Sequence, residues 1–276
     1  MDLAQAANYF NDIPVTDAYT GASLFYAQLS SSLDRQPDGS ISKRRIISVA
    51  PGTVLPARRA ASWLGETWLM GDMILDGLQG IALRANIAVK KATDSFAILT
   101  PGQAALEASG TLAYGQKEYL KDTVNTQTDA QYDPFWEISF GANEPVLKGT
   151  YLRSGSTLYF SRSTHQILEG YIVTEADQVD YVPASAVFAG SVYDPTADAF
   201  TGSSVTTTGL LMDSYMVYQY LHPSSPKMLP GDQTLVVAQS AVTPVVGQQV
   251  TTAGRTWRIE ATLANQDAWN LHIRGL

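Results

Sequence analysis

Three histidines, a cluster of carboxylates and a stretch of basic residues are the side chains here whose types and spacing could do chemistry. His165, His222 and His272 lie far apart and have no histidine or acidic neighbour at ligand spacing, so no zinc motif is legible around them. Their ordinary reading is structural or surface. Glu169, Glu175, Asp177 and Asp180 are close enough in sequence to offer a glycosidase's paired carboxylates, but an acidic chain of this length presents such clusters by chance. No Gly-x-Ser-x-Gly elbow, Walker sequence, Gly-x-Gly-x-x-Gly turn or Asp-x-Asp-x-Asp calcium loop occurs. Cysteine is absent, which removes disulfides, thiol catalysis, cysteine-based zinc sites and iron-sulfur clusters together. The expectation is a protein that is not an enzyme, with no catalytic residue, metal or cofactor.

The basic residues carry a different signal. Between Lys43 and Lys91 eight basic residues (Lys43, Arg44, Arg45, Arg58, Arg59, Arg84, Lys90, Lys91) meet three acidic ones (Glu66, Asp72, Asp76), a local balance of +5 in a chain of net charge -8. The rest must therefore carry -13. Two charged strand ends with a solvated face would explain the stretch; so would a surface that meets an acidic partner subunit or passing nucleic acid. On that second reading Lys43, Arg44, Arg45, Arg58, Arg59, Lys90 and Lys91 are the candidates.

The elements that must position these residues read as mainly β. Hydrophobic content of 45% supplies a core, while only 16% charged residues leave much neutral surface, as interfaces do. No basic and apolar leader opens the chain, and no apolar run approaches the ~18 residues of a membrane span, so synthesis in the cytoplasm without a membrane partner is expected. Asp2 to Phe10 and Asp17 to Leu33 suggest two helical pieces, an N-terminal helical arm over 1–42 that ends at the turn Gln36-Pro37-Asp38-Gly39. Residues 43–99 read as a first β unit, with Trp68-Leu69-Met70 in one strand and Ile81, Leu83, Ile87 and Val89 in its return. Thr100-Pro101 predicts a helix start, and 100–135 reads as a helical or loop extension whose polar part, Gly115 to Asp133, is suited to touching partners. A second β unit spans 136–182, a connecting segment punctuated by Pro183, Gly190, Pro195 and Gly202 spans 183–228, and a C-terminal β unit spans 229–276. The expected fold class is thus small β-barrel or sandwich-like units with an N-terminal helical arm and short helices.

A pattern recurs three times: Pro56, Gly65, Thr67, Trp68; Pro145, Gly155, Thr157, Tyr159; Pro244, Gly254, Thr256, Trp257. The second and third copies align without a gap from proline to threonine, and the first needs a one-residue deletion. Glycine supplies a tight turn and the residues after it fill a pleated surface, which is consistent with a true repeat and equally with independent hairpins of like grammar.

The third copy, Gly254-Arg255-Thr256-Trp257-Arg258-Ile259 followed by Trp269-Asn270-Leu271-His272-Ile273-Arg274, resembles the strand grammar of small β-barrel neck proteins of tailed bacteriophages, the head-closure or stopper components; Gly155-Ser156-Thr157-Leu158-Tyr159-Phe160 is similar in outline. The resemblance covers about a third of the chain. It implies a virion structural protein at the head-to-tail connection: a homo-oligomeric ring, neighbours on the portal or adaptor side and on the tail side, and non-specific contact with packaged DNA. A tail, baseplate or capsid-decoration role is the nearest alternative. A carbohydrate-binding module using Trp68, Trp257 or the Tyr215 to Tyr220 stretch is another, and a hydrolase a third.

Overall fold

The computed structural model describes residues 13–30, 44–78, 81–120, 135–167, 170–197, 199–212 and 229–276. Among them the chain forms three closed, antiparallel, six-stranded barrels. The first takes β1 (Ile13–Asp17), β2 (Ser23–Ser30), β3 (Arg44–Val49), β4 (Ala60–Trp63), β5 (Glu66–Leu78) and β6 (Ile81–Lys91), in the order β1-β2-β3-β6-β5-β4. The second takes β7 (Asp94–Leu99), β8 (Thr111–Leu120), β9 (Phe135–Phe140), β10 (Tyr151–Ser154), β11 (Thr157–Gln166) and β12 (Ile172–Val179), with the helix α1 (Pro101–Ala105) between its first two strands. The third takes β13 (Tyr181–Phe188), β16 (Val205–Met212), β17 (Gln233–Ala238), β18 (Gln249–Thr252), β19 (Arg255–Asn265) and β20 (Ala268–Gly275), and carries the hairpin β14 (Val192–Asp194) and β15 (Ala199–Thr201) as an insertion.

Numbered within its own barrel, every barrel has the same circular strand order, 1-2-3-6-5-4, with strand 4 pairing back onto strand 1. Two three-stranded meanders close on each other, and closure removes the sheet edges. The recurring motif therefore belongs to a structural repeat, and it marks the hairpin between the fourth and fifth strands each time.

The alignment differs from the one the letters suggest. In the first and third barrels the two-residue loops are Leu64-Gly65 and Ala253-Gly254, both residues at positive φ, whereas in the second the loop is Gly155-Ser156 and only Gly155 has positive φ. Registered on the strand ends, Trp68, Tyr159 and Trp257 are equivalent, but Thr157 corresponds to Glu66 and Arg255 rather than to Thr67 and Thr256. The first and third copies match through the turn, and the gapless pairing of the second and third is off by one. Both tryptophans are buried, and each donates its indole N–H to the carbonyl that ends the preceding strand, Trp68 to Trp63 at 3.2 Å and Trp257 to Thr252 at 3.4 Å. A tight turn just before the fourth strand also recurs, closed by Arg59 N–H to Pro56 O, Thr150 N–H to Leu147 O and Gln248 N–H to Val245 O. Only in the first barrel does the motif's proline occupy that turn's first position.

Each core follows the strand period. In the first barrel Ile47 and Val49, Trp68 and Met70, and Ala85, Ile87 and Val89 point inward; in the third, Leu235 and Val237, Trp257 and Ile259, and Leu271 and Ile273 do. On β10 and β11 both faces are buried, which explains the continuous run Leu158-Tyr159-Phe160. By Cα proximity the chain divides into two compact units, residues 1–96, 113–146 and 164–175 in one and 97–112, 147–163 and 176–276 in the other. Strands of the second barrel fall in both.

Several sequence expectations are corrected. Asp17 to Leu33 is not helical where described: β1, a turn with Gly21 at φ +71°, and β2 occupy 13–30, while Asp2 to Phe10 lies outside the described residues. The N-terminal helical arm is therefore not supported, because residues 13–30 close the first barrel. The boundary at 42/43 falls inside that barrel and the one at 99/100 inside the second. Thr111 to Leu120 of the supposed extension is a strand, and its polar letters reflect partial exposure. Within the supposed connection 183–228, the described residues form most of β13, the inserted β14–β15 hairpin and β16 rather than an irregular segment, and 213–228 lies outside the described residues. Pro183 is tolerated in β13 because β18 pairs only with Ala186, Val187 and Phe188, leaving the proline without a neighbour on that side. The helix at Thr100-Pro101 is present, with Thr100 and Gln103 forming a capping box.

Candidate interaction surfaces and buried polar junctions

Within the first compact unit, the basic residues divide into buried and exposed. Glu144, on the connection from β9 to β10, has a fully buried side chain. It accepts the Tyr19 hydroxyl at 2.6 Å and Arg58 Nε at 3.1 Å, with Arg58 Nη2 closing a bidentate pair. The Arg58 guanidinium also lies 3.9 Å over the Tyr19 ring. Burial, then the hydrogen bond to Glu144, pushes the Tyr19 phenol far above its ordinary value. Asp17 shapes the turn that presents Tyr19, accepting the N–H groups of Tyr19 and Thr20 at 2.9 and 2.8 Å. Asn143 Nδ2 donates to Ala57 O at 2.8 Å, and a Cβ on Gly141 would fall 2.4 Å from Arg58 O, so this contact requires glycine.

Lys90 is only 6% exposed, donates to Ser139 Oγ at 3.1 Å and lies 4.8 Å from the Tyr171 ring centroid. Tyr171 in turn donates to Ala88 O at 2.6 Å. Arg59 donates to Gly71 O at 3.0 Å, with Asp72 3.9 Å away. Lys91 pairs with Glu66, and Arg45, exposed, lies 5.2 Å from the Trp68 ring centroid. Arg44 begins β3 in register with Lys90, and Lys43 lies outside the described residues. The seven candidates are thus not one open patch: Arg58 and Lys90 hold interior contacts, and Arg45 and Lys91 are at the surface.

In the second unit the polar cluster is Asp232, His272 and Arg274. His272 Nε2 lies 2.7 Å from Asp232 Oδ2, and Arg274 binds both carboxylate oxygens, Nε at 3.0 Å and Nη2 at 2.9 Å. Burial opposes the Asp232 charge most strongly, yet Arg274, the Leu229 N–H and His272 together outweigh it and hold the carboxyl far below the usual carboxylate range. An Asp–His pair suggests acid–base chemistry, but His272 has no exposed surface and no substrate could reach it. Asp232 and His272 stand forty positions apart in sequence, so no spacing pairs them before the fold does. Of the carboxylates once grouped as a glycosidase pair, Asp177 is buried against Arg162 and Glu169 lies outside the described residues. His165 is exposed on β11, and His222 is also outside the described residues, as is the Tyr215 to Tyr220 stretch.

Two open apolar features were not legible in the sequence. In the third barrel the β14–β15 hairpin and the connection from β17 to β18 flank a groove of about 610 Å³, lined by Tyr193, Phe200, Val245, Val246, Arg258 and Leu276. Tyr193 is 50%, Val246 55% and Leu276 70% exposed. Gln248 ties the connection before β18 to the residue after β13, donating to Ala189 O at 2.5 Å and accepting the Val245 N–H at 3.0 Å. In the first barrel, β5 and β6 run past their other neighbours: β4 pairs only with Glu66, Thr67, Trp68 and Leu69, and β3 reaches only to Ala85. The resulting two-stranded arm exposes Ile74 at 70% and Leu75 at 59%, and the Asp76–Arg84 pair holds it together at 2.7 Å. Comparison with protein-family models, curated proteins and solved structures finds no match to this chain.

Proposed function

We propose that this chain is a structural component of a tailed-phage virion, at the head-to-tail connection, assembling into a homo-oligomeric ring around the DNA channel. The observation that carries the reading is the tandem of three barrels of one strand order, joined by two residues between β6 and β7 and by one between β12 and β13. Closed barrels hide their strand edges, so repeated units of this kind serve as building parts whose outer loops and arms make the contacts. The exposed arm and groove give such a part surfaces for neighbours, and the resemblance to phage neck proteins gives those neighbours a setting. Among the described candidates of the basic stretch, Arg45 and Lys91 lie at the surface, Lys91 in a pair with Glu66, and on this reading they face a partner or DNA. A carbohydrate platform on Trp68 or Trp257 has no support, since both rings are buried.

Mass spectrometry of particles purified from lysates of cells expressing the gene in its phage context tests the reading. The chain should be found in multiple copies per particle, and its absence from particles while abundant in the soluble lysate would overturn the proposal.

A further inference from the structure

We infer that the knob after α1, Leu106 and Glu107, seats in the third-barrel groove of a second copy, with the Glu107 carboxylate on Arg258. The inference rests on the assembly reading above and names its contact. Knob and groove both belong to the second compact unit, so one unit carries the two halves of the contact. α1 is held at one end of the β19–β20 pair, where Asp267 accepts the Gly102 N–H at 2.8 Å and the Thr100 hydroxyl at 2.6 Å. The groove lies at the other end, at Arg258 and Leu276, roughly 25 Å of strand away. A knob cannot reach the groove of its own copy.

Charge and apolarity match across the contact. Leu106 is 46% exposed, and the exposed Glu107 beside it has a carboxylate that makes no hydrogen bond or ion pair among the described residues. Glu107 also holds φ +53° just past the helix, where glycine is easier, so the carboxylate is kept against the local backbone preference. In the groove Arg258 is the one charged lining residue, and Glu260 engages only its Nε, at 2.8 Å, which leaves both Nη groups for a carboxylate. Val245, Val246 and Phe200 give Leu106 an apolar seat. The knob's surroundings agree in sign: residues 92–180 carry twelve acidic and five basic side chains, a balance of -7. Because the two surfaces are different patches of one chain, the contact is heterologous and propagates into a ring or an open filament rather than closing as a two-fold dimer.

Glu107→Gly separates assembly from folding, since glycine relieves the backbone while the carboxylate is lost. Its thermal midpoint should equal or exceed that of wild type, while self-association, followed by sedimentation across concentration, weakens at least about tenfold. Unchanged self-association would overturn the contact. The lack of native cysteine allows a second readout. Full-length Ser109→Cys/Val246→Cys under mild oxidation should give a ladder of disulfide-linked oligomers on a non-reducing gel, at several times the yield of either single variant or of Ser156→Cys/Val246→Cys. A yield no higher than that control would also overturn the contact. If wild type still sediments as an oligomer in either case, the assembly reading survives without this contact; a wild type that sediments as a monomer at every concentration removes both.

Discussion

With its side chain fully buried, Glu144 has to be satisfied by what surrounds it, and Tyr19 and Arg58 do so from parts of the sequence more than eighty residues away. Removing one member of such a group leaves the others desolvated and unpaired, which costs more than the group's net contribution. Glu144→Ala should therefore lower stability by about 2 to 4 kcal/mol in urea denaturation, and Glu144→Gln, which keeps an acceptor for Tyr19, by less. Equal losses for the two variants would contradict this account of the junction. Asp232 makes a second residue-level prediction, with its sign fixed by linkage. Its folded pKa lies below the unfolded value of about 3.9, so its contribution is fully present above that pH and is lost as the pH falls toward the folded pKa. Stability measured from pH 5 downward should fall less steeply in Asp232→Asn than in wild type; parallel curves would mean that the carboxylate is not held this way.

At the scale of elements, the fourth-to-fifth-strand hairpin is where sequence and fold meet most directly. Leu64 and Ala253 hold φ values of +54° and +50°, a region that costs an ordinary L-residue about 1 kcal/mol and that asparagine tolerates. Leu64→Asn and Ala253→Asn should each raise stability by about 0.5 to 1 kcal/mol in thermal or urea unfolding, and a loss at both positions would refute the turn assignment. Gly141→Ala should go the other way, by about 2 kcal/mol or more, because its Cβ meets a backbone oxygen that cannot step aside. The glycines of this turn were visible as letters, as were the alternation of β6 and the Thr100-Pro101 helix start. The helical reading of Asp17 to Leu33 failed because β2 takes its direction from pairing with β1 and β3, while Leu24, Phe25 and Leu29 have no clear period of their own. The true equivalence of the three copies was hidden for a similar reason. The motif's proline slides by one residue in the third copy and by two in the second along a turn whose closing hydrogen bond stays fixed, so the letters drift while the backbone does not.

For the whole molecule, burial ties the barrels into larger bodies. In the second unit Leu210, Met212, Val236 and Ala268 from the outside of the third barrel join Tyr151, Leu158, Phe160 and α1 in one apolar cluster. Residues 181–276 expressed alone should consequently expose that face, and bind a hydrophobic dye or aggregate where the full chain does not; a fragment as soluble and dye-free as the full chain would show that the cluster is not needed to cover it. The seven basic candidates show where reading from sequence stops. They are close in sequence, but whether a cation serves the interior, as Lys90 does, or the surface, as Lys91 does, depends on contacts that no spacing reveals. On the proposed reading, three barrels of one topology form a part that assembles with copies of itself. Electron microscopy of the purified full chain, with its mass followed by sedimentation across concentration, tests this most directly: closed rings of uniform diameter are predicted, and a monomer at every concentration would contradict the claim.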